Sequence, residues 1–319
     1  MTVPVVSEMI NSFPGLKISI ITKKQFVPVY SHLKGVNVIG IDFQNDYKGL
    51  FGLLKLSKEI KNLNADFIAD LHNVLRTKVL KLFLSGNSFQ AVNKARFDKK
   101  NLVKGKSFQP LKSTIERYAD VIRALGLKLN LEHPKFPPPL VLSSPLKEII
   151  KNNSKFLIGV APFAAYKSKI YPLDKMKKVI NFLSNEYTVI LFGGGNNETK
   201  ILDKIANQSN SIISLSGKYS MKEEIQLMSH LKLMISMDSA NAHMAAMLGV
   251  KVITLWGVTH PYAGFKPFNQ PLSNCLLSDR KMFPLIPTSI YGNVYPKNYE
   301  NAIASIPEDK VLKAIKNNI

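Results

Sequence analysis

MDSANAHMAAMLGVKVITLWG, residues 237–257, sets one acid, one histidine and a run of small residues between two β-rich stretches. LKLMISM ahead of it reads as a strand, ANAHMAAMLG as a helix ended by Gly249, and KVITLWG as the next strand. A strand, a short helix and a further strand in succession are the repeating unit of a parallel α/β sheet. Asp238 or Ser239 stands where a side chain caps a helix N-terminus, and the free N–H groups there form an anion site suited to a diphosphate. An N-cap and a satisfied histidine in an ordinary turn account for the same residues, so this stretch decides the fold and leaves its chemistry open.

The alternation extends outward in both directions. Upstream, KFLIGVAP, TVILFGGG and SIISLSG read as strands, with helices in LDKMKKVINFLSNE, NETKILDKIANQ and MKEEIQLMSHL. In the first half KISIIT, VNVIGI and DFIADL read as strands. Helices are expected over 5–12, 50–61, 76–84 and 113–125, the last with Ile115, Tyr118, Ala119, Ile122 and Leu125 on one face. Between residues 132 and 145 the chain reads EHPKFPPPLVLSSP, and consecutive prolines break both helices and ladders. That places a linker there and predicts two domains, 1–138 and 139–319, each a doubly wound sheet, facing each other. Ligands of such sheets bind beyond the carboxyl ends of the strands.

At 319 residues the chain is long enough for two cores, and 45% apolar with 20% charged residues is the balance of a globular protein. Cys275 is the only cysteine, which precludes an internal disulfide, and no Cys/His spacing suggests zinc; a reducing, cytoplasmic setting fits. The opening MTVPVVSEMI lacks a basic flank and continuous apolar core, and no run of 18 apolar residues follows. With 43 Lys+Arg against 22 Asp+Glu the formal charge is +21, which points to an anionic partner, although a solvated lysine surface gives the same count. Without an Arg-rich arm, zinc finger or RNP-like aromatic motif, nucleic acid is not the expected partner. An anionic lipid or membrane surface is.

Three further stretches carry chemistry. GVAPFAAYKSKIYP sets Lys167 and Lys169 after a strand end, where a lysine neutralises phosphate or simply faces water. LFGGGNNE ends a strand in three glycines and allows close backbone approach, but its spacing matches neither the dinucleotide fingerprint nor the P-loop. VTHPYAGFKP, after KVITLWG, reads as a loop.

In order, APFAAYKSKIYP, LFGGGNNE, SLSGKYSMKEEIQLM, MISMDSANAHMAAMLG and VITLWGVTHPYAGFKP, with DFIADLHNVLRTKVLKLFL in the first half, resemble glycosyltransferase family 9, the lipopolysaccharide heptosyltransferase family of GT-B fold. The resemblance covers nearly the whole chain. It implies metal-free, inverting transfer of a sugar, typically heptose, from an ADP-linked donor to an acidic lipid acceptor, with an acceptor domain first and a donor domain second. No cofactor is implied, and the chain contains no D-x-D. By position, Lys169 and Asp238 would be the catalytic pair. Asp238, Ser239, Ala240, Asn241 and His243 would surround the donor's sugar and diphosphate; Lys169 would meet the phosphates, Glu198 the ribose and Tyr219 the base region. Ala164 and Ala165 stand where the family tends to have phosphate-touching hydroxyls, and Ala240 where it has glycine.

The family opens with a strand and a Gly-Asp turn whose Asp is its general base. TVPVVSEMINSFPGLKI matches the helix after that turn, so the expectation is that the first strand is missing and the parallel sheet has a vacant central position. Substitute bases are Asp42, Asp46, Asp70 and His72. A non-catalytic sugar-nucleotide or glycan binder is the rival reading, and a nucleoside-diphosphate-sugar epimerase of the same fold a more distant one. Oligomeric state is not legible.

Overall fold

The computed structural model describes residues 1–84, 86, 88–151 and 155–319. They divide into two compact α/β units, Met1–Ala95 with Lys112–Lys135, and Arg96–Leu111 with Phe136–Ile319.

The first unit runs α1 (Val3–Ser12), β1 (Ile18–Lys23), β2 (Val36–Ile41), α2 (Gly49–Asn62), β3 (Phe67–Asp70), α3 (Leu75–Phe83) and β4 (Ser88–Ala91). The chain leaves it through α4 (Arg96–Val103), which belongs to the second unit, and returns with α5 (Thr114–Ala124). β1 pairs with β2 and β3 with β4, both parallel, and no ladder joins the two pairs among the described residues. α2 and α3 pack side by side and share one core of Ile41, Leu53, Leu56, Leu80 and Leu84. α5 forms as its pattern predicts: the Ser113 hydroxyl accepts the Glu116 N–H at 3.0 Å, and Ile115, Ala119 and Ile122 lie on the buried face.

The second unit runs α6 (Ser144–Lys151), β5 (Leu157–Ala161), α7 (Leu173–Glu186), β6 (Thr188–Leu191), α8 (Asn196–Ala206), β7 (Ile212–Ser214), α9 (Met221–Met228), β8 (Leu233–Met237), α10 (Ala240–Met247), β9 (Lys251–Trp256), β10 (Cys275–Leu277) and α11 (Glu308–Lys316). Its strands form one six-stranded parallel sheet in the order β10-β9-β8-β5-β6-β7. Every residue of β5, β6 and β8 is buried, which is why these strands read as continuous apolar runs. Ile158, Val160, Ile180, Leu183, Leu191, Ile235 and Leu255 form the core between sheet and helices. Strand order reverses between β5 and β8, and the carboxyl ends at that switch point are where such sheets hold ligands.

The proline-rich stretch is not a free linker. The Leu140 N–H donates to the Ser229 hydroxyl at 2.8 Å, a His230 ring nitrogen lies 2.8 Å from the Leu140 carbonyl, and Ser143 donates to Glu223 at 3.0 Å. Residues 136–143 therefore lie along α9, and α6 begins at Ser144 with Pro145 in its first turn, where a missing N–H costs nothing. The chain passes between units after Lys135 rather than after residue 138, and it passes twice more, at Ala95 and Leu111. Residues 96–111 are held to the second unit by the Leu111 N–H donating to the Tyr262 carbonyl at 2.9 Å, and by Phe108, whose ring lies 5.0 Å from both His260 and Tyr262. The Arg280 guanidinium covers the same Phe108 ring at 3.6 Å. The strands β4 and β10, SFQA and CLL, are too short to show alternation, and α4 is too polar to show a core-facing stripe.

Candidate active site

β5, β8 and β9 are neighbours in the sheet, and their carboxyl ends deliver the groups that meet most closely. After β5 the chain turns through Lys167–Lys169, and the Lys169 ammonium reaches Asp238 Oδ2 at 2.9 Å, with side chains only 12% and 10% exposed. After β9 the Thr259 hydroxyl donates to the same Oδ2 at 2.8 Å. The Asp238 N–H donates to the Leu255 carbonyl at 3.1 Å, which continues the β8–β9 ladder and fixes the base of the side chain. A buried ion pair tolerates desolvation only when its geometry is good and its remaining lone pairs are satisfied, and Thr259 supplies that second contact.

Two glycines make this convergence sterically feasible. A Cβ at Gly257 would overlap the Ser168 carbonyl oxygen, so only glycine lets the end of β9 approach the Lys167–Lys169 turn. Gly292, at φ +88°, lies against the Lys169 stem, where a Cβ would fall 2.6 Å from Cδ, and its carbonyl accepts the Ser168 hydroxyl at 2.6 Å. The loop around Gly292 thus holds the lysine from one side and Asp238 from the other.

α10 starts immediately after Asp238. Ser239, one of the two residues expected at the cap, takes the N-cap position with extended backbone, but its side chain makes no cap bond, and to that extent the expectation is corrected. Its hydroxyl lies 3.1 Å from Ser236 Oγ, and the Asp238 carboxylate is engaged by Lys169 and Thr259. The first-turn amides are therefore left to another acceptor, the arrangement that binds anions. Ala240 is exposed and Asn241 partly so, and His243 follows one turn after Ser239. The His243 Nδ1 is buried with no hydrogen-bond partner. Burial above all pulls its imidazole down to about 3, with smaller contributions from neighbouring positive charge, so it is neutral at physiological pH.

The remaining sequence candidates sit at the carboxyl ends of the same sheet. Ala164, partly buried, and Ala165, exposed, follow β5. Glu198, in the first turn of α8, turns back to accept the Gly194 N–H at 2.9 Å and so closes the glycine loop after β6. Tyr219 follows β7 and is partly buried. Lys169 and Asp238 are brought into contact, whereas Glu198 and Tyr219 lie on the β6–β7 side of β5. Sequence reasoning missed Thr259, Ser168 and Gly292; Thr259 lay in a loop noted only for its Pro and Gly, and Gly292 lay 123 residues from the lysine it touches.

In the first unit, two of the carboxylates named as substitute bases serve their own turns. Asp42 accepts the Gln44 N–H at 2.8 Å and the Asn45 side chain at 2.7 Å, and these bonds hold it below the usual carboxylate range. Asp70 accepts the His72 and Asn73 N–H groups at 2.9 and 2.8 Å. Among the described residues no group of three or more His, Cys, Asp or Glu side chains is placed to hold a metal ion.

Two α/β units, the second with a parallel sheet and a polar site at its switch point, define a GT-B protein. A glycosyltransferase family 9 protein from Veillonella parvula DSM 2008 superposes with a TM-score of 0.73 at 17% identity, over 99% of this chain and 92% of that one. The E. coli heptosyltransferase WaaC with ADP superposes with a TM-score of 0.69 at 16% identity, over 100% and 95%. Among curated sequences, lipopolysaccharide heptosyltransferase 1 of Campylobacter coli is 24% identical over 293 residues, 84% of this chain and 80% of that protein. The model of glycosyltransferase family 9 (heptosyltransferase) matches residues 53–286. The chain belongs to that family and is a glycosyltransferase.

Proposed function

We propose that the chain transfers a sugar, heptose by analogy with its relatives, from an ADP-linked donor to a lipopolysaccharide core or related glycolipid, with inversion at the anomeric carbon. The observation that carries this reading is the buried Lys169–Asp238–Thr259 cluster beside the uncapped N-terminus of α10. In this reading the donor's diphosphate lies against the α10 amides, and Lys169, held by Asp238, balances the negative charge that grows on the leaving phosphate. The acceptor oxygen bonds to the anomeric carbon as the carbon–oxygen bond to the diphosphate breaks, and the acceptor proton passes to a base. Neutral His243 offers a hydrogen bond to the sugar without adding charge. Glu198 would face the ribose and Tyr219 the base, with Ala164, Ala165, Ala240, Asn241 and Ser239 lining the donor.

The second unit is the donor-binding part in this reading and the first the acceptor-binding part. The formal charge of +21 suits an acidic acceptor at an anionic membrane surface on the cytoplasmic side. No helix among the described residues is long and apolar enough to cross a membrane, so contact with that surface is peripheral in this reading.

Calorimetric titration with ADP and ADP-heptose, followed by product analysis with a lipid-linked core acceptor, tests the proposal. Donor binding that Asp238→Ala abolishes, together with sugar transfer by the parent, is the expected result. Undiminished donor affinity in Asp238→Ala would remove the assignment, and donor binding without transfer would favour the non-catalytic binder.

A further inference from the structure

The outer face of the α2–α3 layer in the first unit combines two properties that a protein facing only water does not usually join. Phe51 is 86% exposed, Leu75 79%, Leu82 74% and Leu50 58%. These residues do not scatter: Phe51, Lys55, Lys58 and Asn62 recur at helical spacing on the exposed side of α2, and Leu75, Lys78 and Leu82 do so on α3. The opposite sides carry Leu53, Leu56 and Leu80 into the shared core, so both exposed stripes lie on the outside of one layer. Burial has already been satisfied by other leucines, and these four remain at the surface.

Charge on the same two helices is one-sided. α2 contributes Lys55, Lys58 and Lys61, α3 contributes Arg76, Lys78 and Lys81, and the sole carboxylate on either helix is Glu59. Glu59 is already engaged, accepting the Tyr47 hydroxyl at 2.7 Å. Among the described residues, none of the six cations of these helices forms an ion pair. Arg76 lies over the Phe43 ring at 3.7 Å and Lys55 over the Tyr47 ring at 4.9 Å, so both are held to this layer by aromatic faces rather than by carboxylates. A protein partner that buried these leucines would need a matching set of carboxylates, whereas an anionic bilayer offers both acyl chains and a sheet of negative headgroups.

We propose that the α2–α3 face docks on an anionic phospholipid bilayer, with Phe51, Leu75 and Leu82 entering the headgroup boundary and the surrounding lysines binding phosphates. This rests on the reading that the acceptor is carried in a membrane, and it names the surface that would bring the enzyme to it.

The test is co-sedimentation of the full chain with vesicles of phosphatidylethanolamine and phosphatidylglycerol at 70:30, and with pure phosphatidylcholine vesicles. The parent should bind the anionic vesicles at least tenfold better than the neutral ones, and 0.5 M salt should weaken that binding several-fold. A Phe51→Ser, Leu82→Ser double variant should lose tenfold or more of its partition while keeping its melting temperature and ADP affinity; Lys58→Gln, Lys78→Gln should weaken binding to the anionic vesicles several-fold and make it less dependent on the anionic lipid fraction and on salt. Equal binding to neutral vesicles, no binding at all, or unchanged binding by the double variant would overturn the proposal. So would a concentration-dependent dimer, dissolved by the double variant, in a chain that ignores vesicles. Because ADP titration is run on the same samples, vesicle binding without ADP binding would fail the functional reading alone, and ADP binding without vesicle binding would fail this inference alone.

Discussion

Asp238 Oδ2 receives both the Lys169 ammonium at 2.9 Å and the Thr259 hydroxyl at 2.8 Å, so one oxygen holds three loops together. Losing a hydrogen bond to a charged group costs about 1.5–3 kcal/mol, which corresponds to roughly 10–100-fold in an equilibrium or rate. Thr259→Val is therefore expected to lower kcat by about tenfold or more, and Thr259→Ser to restore it; steady-state kinetics of the pair decides, and equal activity of the valine variant would relieve Thr259 of any role. Lys169→Ala leaves a buried carboxylate with only the threonine. It should weaken ADP far more than adenosine, because only the former carries the phosphates the ammonium would meet, and paired calorimetric titrations give that difference directly. The lysine and the aspartate were legible as residue types after strand ends. Their contact was not, since Lys169 alone reads as well as a surface lysine.

At the scale of elements, the site depends on loops that close over one another at glycines. Gly257→Ala would set a Cβ on the Ser168 carbonyl oxygen, and because that obstacle is backbone the β9 end must move away from the Lys167–Lys169 turn. The expected outcome is a loss of donor affinity greater than the loss of stability, read from calorimetry beside thermal melting. By contrast Leu183→Ala, in the core beneath α7, should cost about 2–5 kcal/mol of stability through the cavity it leaves and should scarcely change donor affinity in the folded fraction. The alternation of strands and helices was readable because each long element buries a whole face. Short strands such as β4 and β10 and the polar α4 were not readable, because their positions are set by neighbours rather than by their own patterns.

For the whole molecule, two histidines, His260 buried and His243 with a buried ring nitrogen, tie stability to pH. Burial above all brings His243 to about 3, and burial with the Arg280 charge brings His260 to about 4. Both lie below the ordinary histidine value of 6.5, so the unfolded chain takes up protons that the folded chain refuses. The stability these neutral imidazoles contribute is fully present above pH 6.5 and declines as pH falls from there toward 4, by up to about 1.4 kcal/mol per pH unit for each group. Burial pushes the Glu224 carboxyl up to about 7, so its contribution to stability grows as pH falls over the same range and offsets about one histidine. Urea denaturation between pH 7.5 and 4.5 should show the remaining decline, and His260→Gln should reduce it further; a parent profile that rises as pH falls would contradict the protonation states assigned here.

By itself the sequence determined the α/β class, the parallel order of elements in the second half and the residue types at the strand ends. Periodicity of burial is a local property, and a small-residue helix after an apolar strand leaves few alternatives. Only the tertiary structure decided that residues 96–111 and the proline-rich stretch belong to the second unit, that no side chain caps α10, and that Thr259 and Gly292 frame the lysine. Those outcomes depend on contacts between residues 20 to more than 120 positions apart, through hydrogen bonds and close backbone approach that leave no period in the chain.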